Sequence, residues 1–155
     1  FNLPERFDLT YIDKDGEKKR PVMLHRVVYG SIERFIGILI EHYAGAFPTW
    51  LAPVQVEIIP VANDVHLETA NNLFNEFQLK GFRPHVDDRE EKLGYKMREA
   101  QMKKIPFSIV LGDNEVANDL VTYRRYGSRE QITVTRVEFL ELLAKEVAEK
   151  RKIEQ

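Results

Sequence analysis

From residue 54 onward, short apolar runs alternate with longer amphipathic stretches, and this alternation restricts the fold more than any other feature of the chain. The pattern predicts strands over 54–61, 82–86 and 107–111, separated by helices over 65–80 and 90–104. Strands joined through helices are connected by right-handed crossovers and pair in parallel. Further strands at 120–126 and near Ile132 lie too close together for a crossover and imply an antiparallel turn. Gly81 is positioned to end the first of these helices, and Thr135 with Glu138 has the spacing of a capping box at the start of a last helix from Arg136. The expected class is α/β, with a mixed sheet of about five strands flanked by helices.

The chain ahead of that pattern reads differently. Phe7, Leu9 and Tyr11 alternate with polar residues up to the turn-forming Asp13-Lys14-Asp15-Gly16, after which Val22 and Leu24 resume an extended pattern that ends at Gly30. This predicts a hairpin. Ser31 then caps a helix running to about His42, which Gly45 stops. A hairpin and one helix bury too little apolar surface to offset chain entropy, so residues 1–46 are expected to be the tail of a larger, incomplete α+β domain. Residues 47–53, where Pro48 and Pro53 bracket Trp50, are the expected linker, and 54–155 the second domain.

Composition closes off several functions. There is no cysteine among the 155 residues, hence no disulfide scaffold and no thiolate zinc cluster. A net charge of −2 supplies no global field for nucleic acid. The longest apolar run, residues 35–40, is far short of the roughly 20 residues that cross a bilayer. With no charged and apolar leader either, the expectation is a soluble, cytoplasmic protein without a membrane partner. Neither GxGxxG nor GxxxxGK[ST] occurs at a strand-to-helix turn, which disfavours a small nucleotide-binding enzyme. No serine sits in a GxSxG elbow. His25, His42, His66 and His85 lack the spacing that puts two imidazoles on one helix face. Zinc sites need three or four ligands, so if His25 is a ligand its partners come from outside this chain.

At the start of the first long helix, Val22-Met23-Leu24-His25-Arg26 followed by Gly30-Ser31-Ile32-Glu33-Arg34-Phe35 resembles the third signature motif of class II aminoacyl-tRNA synthetases, in the form carried by the threonyl-tRNA synthetase family. Phe47-Pro48-Thr49-Trp50-Leu51-Ala52-Pro53, the run from Asp88 through Ala100, and the segment from Ile105-Pro106-Phe107 to Gly112-Asp113-Asn114-Glu115 resemble that family's anticodon-binding domain. The resemblance covers essentially the whole chain.

It implies a set of roles. His25 would help hold a zinc ion that selects threonine through its amino and hydroxyl groups. Arg34 would stack on the adenine of ATP, and Ser31 would line the same pocket. Positions matching Glu90, Glu115 and Arg124 would meet anticodon bases. Glu90 stands where relatives can carry asparagine, and a carboxylate accepts hydrogen bonds without donating them. Arg89, Lys92, Lys96, Tyr123 and Arg125 complete a constellation of stacking planes and hydrogen-bonding groups of the kind that reads splayed RNA bases. Spacing alone also accommodates a solvated face of Lys92, Lys96 and Lys103.

The expected function is therefore that of a C-terminal portion of threonine-tRNA ligase. Its anticodon-binding domain would serve ATP-dependent aminoacylation of threonine tRNA by a full-length homodimer using zinc, ATP and Mg2+. Lacking the first two class II motifs, the chain by itself is expected to be inactive and to bind none of these cofactors tightly. The alternative is a non-enzymatic RNA-binding or interaction module on the same fold.

Overall fold

The structure, a computed structural model, describes residues 2–24 and 26–151. The chain divides into two compact units, Phe1–Ile38 and Leu39–Gln155.

In the first unit, helix α1 (Leu3–Arg6) forms around Pro4, which is tolerated in a first turn because no amide is needed there. Strands β1 (Tyr11–Ile12) and β2 (Lys18–Lys19) pair antiparallel, with Tyr11 opposite Lys19. Lys19 Nζ stands 2.5 Å from the carboxylates of both Asp13 and Asp15 and ties the turn together. The expected hairpin is present but short. Residues 20–24 and 26–28 join no ladder, although they alternate as a strand would. Alternation disposes a segment to extend, but a strand also needs a neighbour for its amides and carbonyls, and the described residues offer none there. Helix α2 (Ile32–His42) starts after Ser31 as expected, and beyond its end the Gly45 amide donates to the Ile40 carbonyl at 2.9 Å.

The second unit continues through β3 (Val56–Pro60), α3 (Asn63–Leu79), β4 (Pro84–Val86), α4 (Leu93–Met102), β5 (Phe107–Leu111), α5 (Asp113–Asn118), β6 (Leu120–Arg125), β7 (Ile132–Thr135) and α6 (Arg136–Glu149). The sheet order is β4-β3-β5-β6-β7, with β3 parallel to both neighbours and the remaining pairs antiparallel. This is the expected mixed sheet. Gly81, at φ +84°, closes α3 in the left-handed region. Thr135 Oγ1 accepts from Glu138 N at 3.3 Å while Glu138 Oε2 accepts from Thr135 N at 2.9 Å, so the capping box forms. Two elements depart from expectation. A short helix, α5, occupies the connection from β5 to β6, and α4 begins at Leu93 because residues 87–92 are held as a loop by side chains described below.

Because β3 leads outward to β4 and the chain then crosses back to β5, right-handed crossovers put α3 and α4 on opposite faces of the sheet. On one face Phe139 of α6 stacks on Phe77 of α3, with ring centroids 5.8 Å apart. Phe139 also meets Phe107 at 5.5 Å and Tyr123 at 5.1 Å. Val56, Ile58, Ile109 and Val121 complete this core. On the other face, Met97 and Ala100 of α4 are buried beside β3. The proline-bracketed segment is strapped to this unit. Arg83 donates to the carbonyls of Ala52 and Trp50 at 2.9 Å, Gln55 Nε2 donates to Thr49 O at 2.8 Å, and Thr49 Oγ1 donates to Glu146 at 2.9 Å.

Since Phe139 touches three other rings from three elements, Phe139→Ala is expected to destabilise this unit by about 3–5 kcal/mol in urea unfolding.

Candidate nucleic-acid interface

Parallel strands end together, and helices that follow them start together, so β3 and β5 bring the starts of α3 and α5 to one end of the sheet. At that end Glu115 reaches back to the start of α5, where Oε2 accepts from Gly112 N at 3.0 Å. This is one half of a capping box, because glycine has no side chain to supply the other. Oε1 accepts from Thr122 Oγ1 at 2.7 Å, and Thr122 in turn meets Thr133 Oγ1 at 2.8 Å. Burial pushes the Glu115 carboxyl up, but the bonds from Thr122 and Gly112 outweigh it and hold the group below the usual carboxylate range. Glu115 is thus an oriented carboxylate with lone pairs left for a ligand. A Cβ added to Gly112 would stand 3.1 Å from Glu115 Oε2 and 3.5 Å from Val61, so the turn is tight.

The loop before α4 is built on Asp87, which is 3% exposed. Arg89 grips it in fork fashion, Nε to Oδ1 at 2.8 Å and Nη2 to Oδ2 at 2.6 Å, and Nη2 also lies 2.5 Å from Glu99 of α4. Lys96 is 2% exposed and donates to the Asp87 carbonyl at 3.0 Å. Held in this way, the loop presents Glu90 to a surface cavity of about 440 Å³ lined also by Val61, Asn63, Arg89 and Lys92. Val61 therefore joins the Glu90 cavity to the Gly112 turn that carries Glu115.

Alternation along β6 divides its residues between the two faces. Val121, Tyr123 and Arg125 face the aromatic core, and Thr122 and Arg124 face the other way. Arg124 thus lies one pleat from the Thr122 that holds Glu115. Its Nε donates to Ser128 O at 2.6 Å, and among the described residues its terminal nitrogens have no partner.

The constellation expected from spacing therefore separates. Glu90, Arg89 and Lys92 line the cavity that Val61 joins to the Glu115 turn, and Arg124 shares with Thr122 the sheet face turned away from the aromatic core. Tyr123, 4% exposed between Phe107 and Phe139, is a core residue and offers no plane to a base. Lys96 does not belong to a solvated helix face: it is 2% exposed, donates to the Asp87 carbonyl and lies at the floor of the Glu90 cavity. Arg125 has its guanidinium 4.7 Å over the Phe107 ring and 2.6 Å from the buried Glu146, so it ties β6 to α6. Sequence reasoning missed Gly112 and Thr122, which orient Glu115. The Gly112-x-x-Glu115 spacing, read as half of a capping box, was the available signal.

In the first unit Ser31 Oγ donates to the Glu33 carboxylate at 2.6 Å, which holds that carboxyl below its usual range. Arg34 is exposed. His25 lies outside the described residues. Among the described residues no three His, Asp or Glu side chains are grouped to hold a metal, and no helix is long and apolar enough to cross a membrane.

Comparison with known proteins gives the family. Residues 55–146 match the anticodon binding domain family and residues 1–43 match the tRNA synthetase class II core domain of the G, H, P, S and T type. The chain belongs to the anticodon-binding domain family, here preceded by a piece of class II core. Its relatives are threonine-tRNA ligases, at 56% identity over 97% of the chain in Geobacillus kaustophilus and 57% over 96% in Listeria monocytogenes. The chain spans 23% of the length of each. It also resembles the solved RNA binding domain of threonyl-tRNA synthetase from Cryptosporidium parvum, at a TM-score of 0.71 and 31% identity over 94% of this chain and 37% of that one.

The Asp87 network gives a test in acid. The hydrogen bonds from Arg89, aided by the nearby Lys96 charge, hold the Asp87 carboxyl below its ordinary value of 3.8 against the opposing effect of burial. A depressed carboxyl stabilises the fold above its unfolded pKa, and that contribution disappears as pH falls through the lower folded value. Asp87→Asn is therefore expected to lower the urea midpoint at pH 6, with the gap from the parent chain closing below about pH 4.

Proposed function

We propose that residues 54–155 read the anticodon of threonine tRNA for a full-length threonine-tRNA ligase, with Glu90, Glu115 and Arg124 as the base-reading side chains and Arg89 and Lys92 at the rim. The observation that supports this is the state of Arg124, anchored through Nε with no partner for its terminal nitrogens among the described residues, one pleat from Thr122, which with the Gly112 amide orients the Glu115 carboxylate. An anchored fork beside an oriented acceptor suits the edge of a splayed base, because little side-chain freedom is lost on binding.

The near-neutral charge is consistent with this reading. An anticodon loop is discriminated by its bases, and phosphate attraction can be supplied elsewhere in a larger protein. Residues 1–46 belong in this proposal to the class II catalytic domain, with 47–53 as the connection. The apolar side chains exposed on α2, among them Ile32, Ile36 and Ile40, support that assignment. There Arg34 would meet the ATP adenine, Ser31 would line the pocket, and His25 would be a single zinc ligand. ATP with Mg2+ supplies the adenylating chemistry in the full-length, cytoplasmic, homodimeric enzyme. One imidazole is too few ligands for zinc, so the others would come from elsewhere in the full-length enzyme.

Anisotropy titration at fixed salt, with a threonine-tRNA anticodon stem-loop beside loops altered at the second or third anticodon base, tests the proposal. The parent chain is expected to prefer the threonine anticodon. A contact to a base edge is worth about 1–3 kcal/mol, so Arg124→Ala should reduce that preference by roughly 5- to 150-fold. Equal binding of all loops by the folded parent chain would overturn it in favour of a nonspecific RNA surface. Activation of threonine by this chain is not expected, and threonine-dependent ATP–pyrophosphate exchange by the pure chain would refute that part.

A further inference from the structure

His66 lies in the first turn of α3, is 3% exposed, and uses both ring nitrogens. Nδ1 stands 3.2 Å from the Ala62 amide, which can only donate, so Nδ1 is the acceptor. The ring hydrogen is therefore on Nε2, which donates to Asp113 Oδ1 at 3.0 Å. Asp113 is the first residue of α5, next to Gly112 and two residues before Glu115. The ladder between β3 and β5 ends at Pro60 and Leu111, with one further bond from Val61 N to Leu111 O. Beyond it, the imidazole ties the start of α3 to the start of α5 across 47 residues of sequence.

A tie of this kind contributes little net stability. The Asp113 carboxylate is 94% exposed, and a hydrogen bond to so well hydrated a partner largely exchanges one set of bonds for another. It does fix geometry, because Gly112 carries no side chain to hinder the turn, and Glu115 is oriented by Gly112 N and Thr122 Oγ1 on either side of that turn.

We propose that His66 is a positioning residue for base recognition: by holding Asp113 it sets the orientation of the Glu115 carboxylate, and thereby the discrimination at the base that Glu115 meets. This rests on the anticodon reading given above and adds to it a residue that touches no RNA.

The test is a double-mutant cycle on the whole chain, reading the ratio of affinities for the threonine anticodon stem-loop and loops altered one base at a time. His66→Phe fills the space and removes both bonds, and should lower the ratio several-fold at the base that Glu115→Gln affects. The two losses should be non-additive, whereas His66→Phe combined with Glu90→Gln should be additive. His66→Gln, which retains an N–H toward Asp113, should recover part of the ratio. Asp113→Ala removes the same tie from the solvent side without disturbing the core, and should reproduce the loss even if His66→Phe does not fold. Equal weakening of all loops by folded His66→Phe and Asp113→Ala would overturn the inference, as would additivity with Glu115→Gln. An unchanged ratio in Glu115→Gln itself would instead overturn the assignment of Glu115, and this inference with it.

Discussion

Strand β3 pairs in parallel on both sides, and the candidate interface is laid out by where those two ladders stop. Parallel strands need crossovers, and because the one from β3 to β4 and the one from β4 back past β3 to β5 run in opposite directions, α3 and α4 lie on opposite faces. Both faces of β3 are consequently covered and every residue from Val56 to Pro60 is buried. The same geometry makes the segments after β3, β4 and β5 emerge side by side. The loop carrying Glu90 follows β4, the turn carrying Glu115 follows β5, and the start of α3 with His66 follows β3. No feature of these loops individually requires them to meet.

Charged groups inside this frame are paired, and the pairings fix how loops and helices attach to the sheet. Glu146 of α6 receives Thr49 from the proline-bracketed segment and Arg125 from β6. Asp87 receives Arg89 and lies under the reach of Lys96. Such pairs return little net stability after desolvation, but leaving one member unpaired is costly, so they select one arrangement among competitors. Here they fix where the loop and the segment before β3 attach. The apolar cluster around Phe139 supplies the cohesion on which both depend.

Much of the fold was legible because it follows local rules. Periodicity marked the strands and long helices of the second unit, and Gly81 and the Thr135–Glu138 box marked helix ends, since both act through residues a few positions apart. Three readings missed for one common reason. Residues 20–28 alternate without a partner strand, α4 starts three residues late because Asp87 and Arg89 hold the preceding loop, and Lys96 looks like a solvated lysine in a helix full of charges. Each depends on a group far away in the fold or across a turn.

The sequence by itself determined the order of the strands and long helices of the second unit, their parallel and antiparallel pairing, and a short set of charged and aromatic candidates, because hydrophobic period and connection length are properties of the chain. Only the tertiary structure decided which candidates share a surface. Along β6 a shift of one residue exchanges the core for the open face, so Arg124 and Arg125 are equivalent as neighbours in the chain and opposite in space. Register with β5 sends Tyr123 and Arg125 toward Phe107 and Phe139 and leaves Arg124 on the face of Thr122, and that register is set by the apolar face the sheet must bury.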